Sequence, residues 1–134
     1  ENTVSYDLID NPEILYEGGL AFGRFQSMLA DYPAKTLHET IPGFHDTRER
    51  FETFKKAVEE DVCSRVDLVR EEIQFVLDRE EIVDCFQDLL RSGKISFRVT
   101  HNDTKINNVL MDKDTKKGIC VIDLDTVMPG GSHE

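Results

Sequence analysis

Residues 99–129 read VTHNDTKINNVLMDKDTKKGICVIDLDTVMP, and the rest of the chain is organised around them. An imidazole, carboxylates, lysines and three asparagines surround two short apolar runs. The alternation of Ile95, Phe97 and Val99 with Ser96, Arg98 and Thr100 predicts a strand leading in. Val109–Met111 and Ile119–Ile122 predict two strands about a polar turn that ends at Gly118. Asp123 closes the second run, and Asp103 follows the entering strand. Carboxylates at the ends of apolar strands require a reason other than solubility.

His101, Asp103 and Asn108 satisfy the spacing H-x-D-x-x-x-x-N, with Lys105 inside it. This is the spacing of a phosphoryl-transfer catalytic loop, and Asp123 stands where such proteins place a metal-binding aspartate after the following strands. Phosphoryl transfer asks a protein for positioning and charge neutralisation: one carboxylate for the acceptor hydroxyl, and separate oxygens for magnesium on the nucleotide phosphates. Asp103 suits the first task. Asn108 and Asp123 suit the second, with Asp125 as an additional ligand, because magnesium uses few protein ligands and prefers oxygen. His101 is expected to hold the loop's shape rather than act as a base. Asp112, Lys113, Asp114, Lys116 and Lys117 are expected to form an exposed hairpin tip.

The segments THNDTKINNVL and CVIDLDTVMPG resemble the aminoglycoside phosphotransferase and choline kinase superfamily, and within it the N-acetylhexosamine 1-kinases. FGRFQSMLADYPAKTLHETIPGFHDTRERF is similar to that group's segment after the hinge. The resemblance implies a mainly helical α+β fold, the core of a kinase-like C-terminal lobe, with a small β-hairpin bearing the catalytic loop. It implies Asp103 as the catalytic base and Lys105 near the transferring phosphate. Asn108 and Asp123 would hold magnesium, ATP would be the donor, and the anomeric hydroxyl of an N-acetylhexosamine the acceptor. It further implies that an N-terminal lobe of the same parent chain and additional acceptor-shaping helices complete the enzyme, so that residues 1–129 form a partial lobe and these 134 residues alone are inactive. The motif residues leave other readings open: an aminoglycoside, choline or homoserine-type kinase, an idle kinase-like binding module, or a hydrolase using Asp103, Asp123 and Asp125 around a metal.

The formal charge of −11 argues against nucleic acid or an anionic membrane as partner, since both need clustered Lys and Arg. No apolar run approaches the ~20 residues of a spanning helix. The odd number of cysteines, Cys63, Cys85 and Cys120, lacks metal-ligand spacing and suggests buried, reduced thiols in a cytoplasmic protein.

Elsewhere the periodicity predicts one domain with helices over 12–31, 47–61, 65–77 and 79–92. Asn11 with Pro12, Asp46 with Glu49, and Asp78 with Glu81 are the start signals, and Gly93 is a stop. The expected buried stripes are Leu20, Phe22, Phe25, Met28 and Leu29, then Phe51, Phe54, Val58 and Val62, then Val66, Val69, Ile73, Val76 and Leu77, then Ile82, Phe86, Leu89 and Leu90. Gly18, Gly19 and Gly23 do not form a phosphate-binding G-x-G-x-x-G, and Glu59, Glu60, Glu71, Glu72, Glu80 and Asp88 read as solvated helix faces. Residues 1–10 are expected to be a partly disordered hinge tail. Residues 130–134, which include His133, are expected to be a linker or cloning remnant.

Overall fold

A computed structural model describes residues 2–131. In chain order these form β1 (Thr3–Val4), α1 (Pro12–Met28), α2 (Thr47–Glu60), α3 (Arg70–Leu77), α4 (Cys85–Arg91), β2 (Phe97–Thr100), β3 (Val109–Asp112), β4 (Gly118–Val121) and β5 (Met128–Gly131). The architecture is mainly helical α+β. The chain divides into two compact units. One comprises the segments up to Ile41 and from Ser96 onward; the other is Pro42–Ile95.

The first unit holds all five strands. β3 pairs antiparallel with β4 as the expected hairpin and on its other edge with β1, so the predicted hinge tail is partly a strand, with Thr3 opposite Asp112 and Val4 opposite Met111. β2 does not join this sheet; it pairs antiparallel with β5, Phe97 opposite Gly131 and Thr100 opposite Met128. Gly130 and Gly131, expected as linker, are therefore buried and paired strand residues. His133 lies outside the described residues.

Helix α1 begins where its sequence says: the Asn11 side chain accepts from the Glu13 N–H at 2.9 Å, and Pro12 occupies a first-turn position where no N–H is needed. It ends at Met28, short of the expected Asp31. Ala30 and Tyr32 instead make tight turn bonds to Ser27 and Leu29 ahead of Pro33, which disfavours helix at the residue before it. Its buried face is Ile14, Gly18 and Ala21 over Val109 and Met111, while Leu20, Phe22, Phe25 and Leu29 are half-buried and Met28 is 72% exposed. Gly18 and Gly118 allow this approach. A Cβ on Gly18 would stand 2.4 Å from the Ile106 side-chain tip, and one on Gly118 would stand 3.1 Å from the Glu17 carbonyl oxygen. The hairpin tip is as expected: Asp112 Oδ1 accepts from the N–H and the hydroxyl of Thr115, which hold its carboxyl below the usual carboxylate range, and the Asp114 N–H adds a smaller share.

In the second unit α2 starts at the Asp46 cap, whose side chain accepts from the Glu49 N–H at 2.9 Å, and buries Phe51. The two following helices are shorter than expected. Asp61, in the left-handed region at the end of α2, accepts from the N–H groups of Arg65 and Val66. This sets a turn, so α3 starts only at Arg70. Asp78 starts no helix but closes α3; its carboxylate accepts from Gln74, and 79–92 splits into a 3₁₀ turn (Glu80–Ile82) and α4. The reason is ionic. Arg48 binds Asp84 through two nitrogens (3.1 and 2.6 Å) and Glu80 at 3.0 Å, with Glu52 and Lys55 alongside. Glu80 joins this network and remains exposed, as expected. The apolar stripes here stay largely open: α3 buries nothing fully, and Val62 is 83% exposed. Gly93, at φ +70°, ends α4 as expected. All three cysteines are free and exposed, which corrects the expectation of buried thiols. No helix among the described residues is long and apolar enough to cross a membrane.

Candidate active site

The loop between β2 and β3 is built on a buried histidine. His101 is 2% exposed, with the edges of Phe22 and Phe25 against its ring at centroid distances of 5.2 and 5.6 Å. Its Nδ1 accepts from the Asp103 N–H at 3.3 Å, which assigns the ring proton to Nε2, and Nε2 donates to the Ile122 carbonyl at 2.9 Å. His101 therefore ties the loop to the strand end before Asp123, a structural role as expected.

Asp103 is held on three sides. Its Oδ2 accepts from Lys105 Nζ at 2.9 Å and from Asn108 Nδ2 at 3.1 Å, while its carbonyl accepts from Asn108 Nδ2 at 2.8 Å and from the Lys105 N–H at 2.9 Å. Both side-chain bonds fall on Oδ2, so Oδ1 is the oxygen left for a ligand. The Lys105 ammonium holds the Asp103 carboxyl below the usual carboxylate range; partial burial opposes this and the Asn108 amide assists it. In return Asp103 holds Lys105 above the usual lysine range, and the charges of Asp123 and Asp125 add to the effect.

The turn after β4 carries two further carboxylates. The Ile122 N–H donates to the Asn108 carbonyl at 2.9 Å, and Asp123 follows in the left-handed region (φ 65°, ψ 60°), which aspartate tolerates better than most residues. Asp123 and Asp125 are exposed on the turn that follows. The predicted residues thus converge: His101, Asp103, Lys105 and Asn108 bond directly to one another or to Ile122, and Asp123 and Asp125 act on Lys105 through their field.

The donor set fits a hard cation shared with a phosphate ligand. With Nδ2 of Asn108 committed to Asp103, its Oδ1 is the amide atom available to a cation, and Asp123 and Asp125 supply carboxylates. No group of three or more His, Cys, Asp or Glu suited to a metal occurs among the described residues.

Sequence reading missed a buried polar layer beneath this site. Thr100 Oγ1 donates to Asn102 Oδ1 at 2.6 Å, Asn102 Nδ2 donates to the Thr126 carbonyl at 2.9 Å, and Thr126 Oγ1 donates to the His101 carbonyl at 2.6 Å. Asn102 is also in the left-handed region, at φ 64°. Its asparagine identity was the one available signal; the threonines gave none, because threonine is ordinary in a strand, as at Thr100, and in a turn, as at Thr126.

Beside the loop opens a pocket of about 600 Å³ whose walls include Asp7, Leu15, Gly18, Phe22, Lys105 and Asn107. Asn107 Nδ2 donates to Asp7 at 3.3 Å. Residues 5–131 match the model of the phosphotransferase enzyme family.

Proposed function

The chain belongs to the phosphotransferase enzyme family, and from that membership we propose that it carries the catalytic loop of an ATP-dependent small-molecule kinase whose acceptor is the anomeric hydroxyl of an N-acetylhexosamine. The observation that carries the catalytic part is the Asp103 carboxylate, with Oδ2 engaged by Lys105 and Asn108 and Oδ1 left open. Oδ1 would accept the acceptor hydroxyl's hydrogen bond, orient the oxygen toward the phosphate and receive its proton as the new bond forms. Lys105, 62% exposed along its side chain, is long enough to leave Asp103 for a phosphate oxygen. Asn108 and Asp123, with Asp125 beside them, would hold magnesium, which when bound neutralises charge on the nucleotide phosphates.

The sugar assignment rests on the resemblance of THNDTKINNVL and CVIDLDTVMPG to hexosamine kinases. The acidity of the chain does not single out a cationic acceptor, because its carboxylates are spread along the whole sequence, about half of them in the Pro42–Ile95 unit. The test supplies the full-length protein with ATP, magnesium and, separately, N-acetylglucosamine, N-acetylgalactosamine, choline and kanamycin, and follows ADP release. Turnover with either sugar is expected. Turnover with choline or kanamycin alone would overturn the acceptor and leave the phosphotransfer roles standing.

A further inference from the structure

Asp123 and Asp125 sit on a three-residue span, 123–125, between two anchored residues. On one side Ile122 has both backbone groups bonded to the catalytic loop: its N–H to the Asn108 carbonyl and its carbonyl to His101 Nε2, each at 2.9 Å. On the other side Thr126 has two bonds to the same loop. Its hydroxyl donates to the His101 carbonyl at 2.6 Å, and its carbonyl accepts from Asn102 Nδ2 at 2.9 Å. Thr126 and Asn102 are each 7% exposed, and His101 is 2% exposed, so water competes little for these bonds. Asn102 is itself fixed by the wholly buried Thr100, whose hydroxyl donates to Asn102 and also lies 3.3 Å from the Met128 carbonyl.

The first anchor is carried by the motif residues His101 and Asn108. The second uses residues outside the motif. Within the exposed span the Asp125 carbonyl accepts from Thr40 Oγ1 and the Leu124 carbonyl from the Val127 N–H, each at 3.1 Å; neither bond reaches the loop that carries Asp103, so the position of the carboxylates relative to Asp103 depends on both ends being tied.

We propose that Thr126 is a positioning residue: through its hydroxyl on the His101 carbonyl, it fixes the Asp123–Asp125 turn against the loop that carries Asp103, and cation binding at Asp123 depends on it. This deepens the phosphotransfer reading and rests on it for the identity of the cation. Thr126 touches no reacting atom; it acts through the backbone on either side of the carboxylates. Valine has nearly the same shape as threonine and lacks the donor, whereas serine keeps the donor and loses a methyl group. The hydroxyl and the packing are therefore separable.

The test uses full-length protein carrying Thr126→Val, Thr126→Ser or neither, with Thr126→Ala as a second hydroxyl-free variant should valine fail to fold. Manganese is titrated by electron paramagnetic resonance with ADP present, the magnesium dependence of turnover is measured, and amide hydrogen exchange is followed without nucleotide. The hydroxyl-free variant is expected to weaken manganese binding and raise the magnesium requirement by about 10- to 100-fold, the scale on which supporting hydrogen bonds affect metal sites. Exchange should quicken across 122–127, and serine should restore most of both effects. A variant with lowered thermal stability but unchanged manganese affinity and unchanged exchange at 122–127 would overturn the proposal, as would a serine variant as impaired as valine. If the wild-type protein transferred no phosphate yet showed the same exchange contrast, the functional reading would fall and the clamp would stand.

Discussion

The proposed chemistry centres on one side chain, Asp103, and its environment predicts its behaviour. Asp103→Asn should lower turnover by about 10²- to 10⁴-fold, the usual worth of a positioned acid or base, while nucleotide affinity stays largely intact. Steady-state kinetics with separately measured ADP binding checks this. Because the Lys105 ammonium lowers the Asp103 carboxyl, that group remains ionised under mildly acidic conditions. Turnover should fall only as pH drops through this lowered value. Lys105→Met should reduce turnover and also move the acid limb of the profile to higher pH, since the positive charge that favoured the carboxylate is gone. A pH–rate profile with an unmoved limb would mean that Lys105 does not control Asp103. Asp123→Asn should instead raise the magnesium requirement, with partial recovery at high magnesium.

The strands and α1 place these side chains, and their cores are small. Met111 is fully buried under the hairpin, against the face of α1 that carries Ile14 and Ala21. Met111→Ala should cost about 2–5 kcal/mol, as for other large-to-small core changes, measured by urea unfolding. Asp46→Ala removes the bond to the Glu49 N–H at the start of α2 and should cost about 1 kcal/mol by the same measurement. The start signals at Asn11 and Asp46 and the stop at Gly93 were legible because each is a local hydrogen-bond or dihedral requirement met within a few residues. The breaks after α2 and before α4 were not legible. They follow from the side chain of Asp61 turning the chain and from Arg48 gathering Glu80 and Asp84 from 32 and 36 residues away.

Across the molecule, the proposed phosphotransfer is measured by the ADP-release assay with ATP, magnesium and each acceptor in turn. The spacing of His101, Asp103, Lys105 and Asn108 and the aspartate after the next apolar strands pointed to the phosphotransferase family that residues 5–131 match, and supplied the residues proposed for its chemistry. All but Asp123 and Asp125 lie in one loop, where short spacing dictates proximity. The strand pattern likewise predicted the β3–β4 hairpin, because side-chain alternation and a polar turn are local properties. Pairing between β2 and β5, the strand at Thr3–Val4 and the burial of Gly130 and Gly131 are contacts between segments 28 to more than 100 residues apart, and no local pattern encodes them. The same holds for the helical faces: periodicity marked an apolar stripe on each helix, but which residues of α1 were buried was decided by close approach at Gly18 and Gly118, and the stripe of α3 met no partner that buries it fully. The polar layer of Thr100, Asn102 and Thr126 arises only when the end of β2 and the turn after Asp123 are brought together, because a threonine hydroxyl takes its role from whichever carbonyl the fold sets before it.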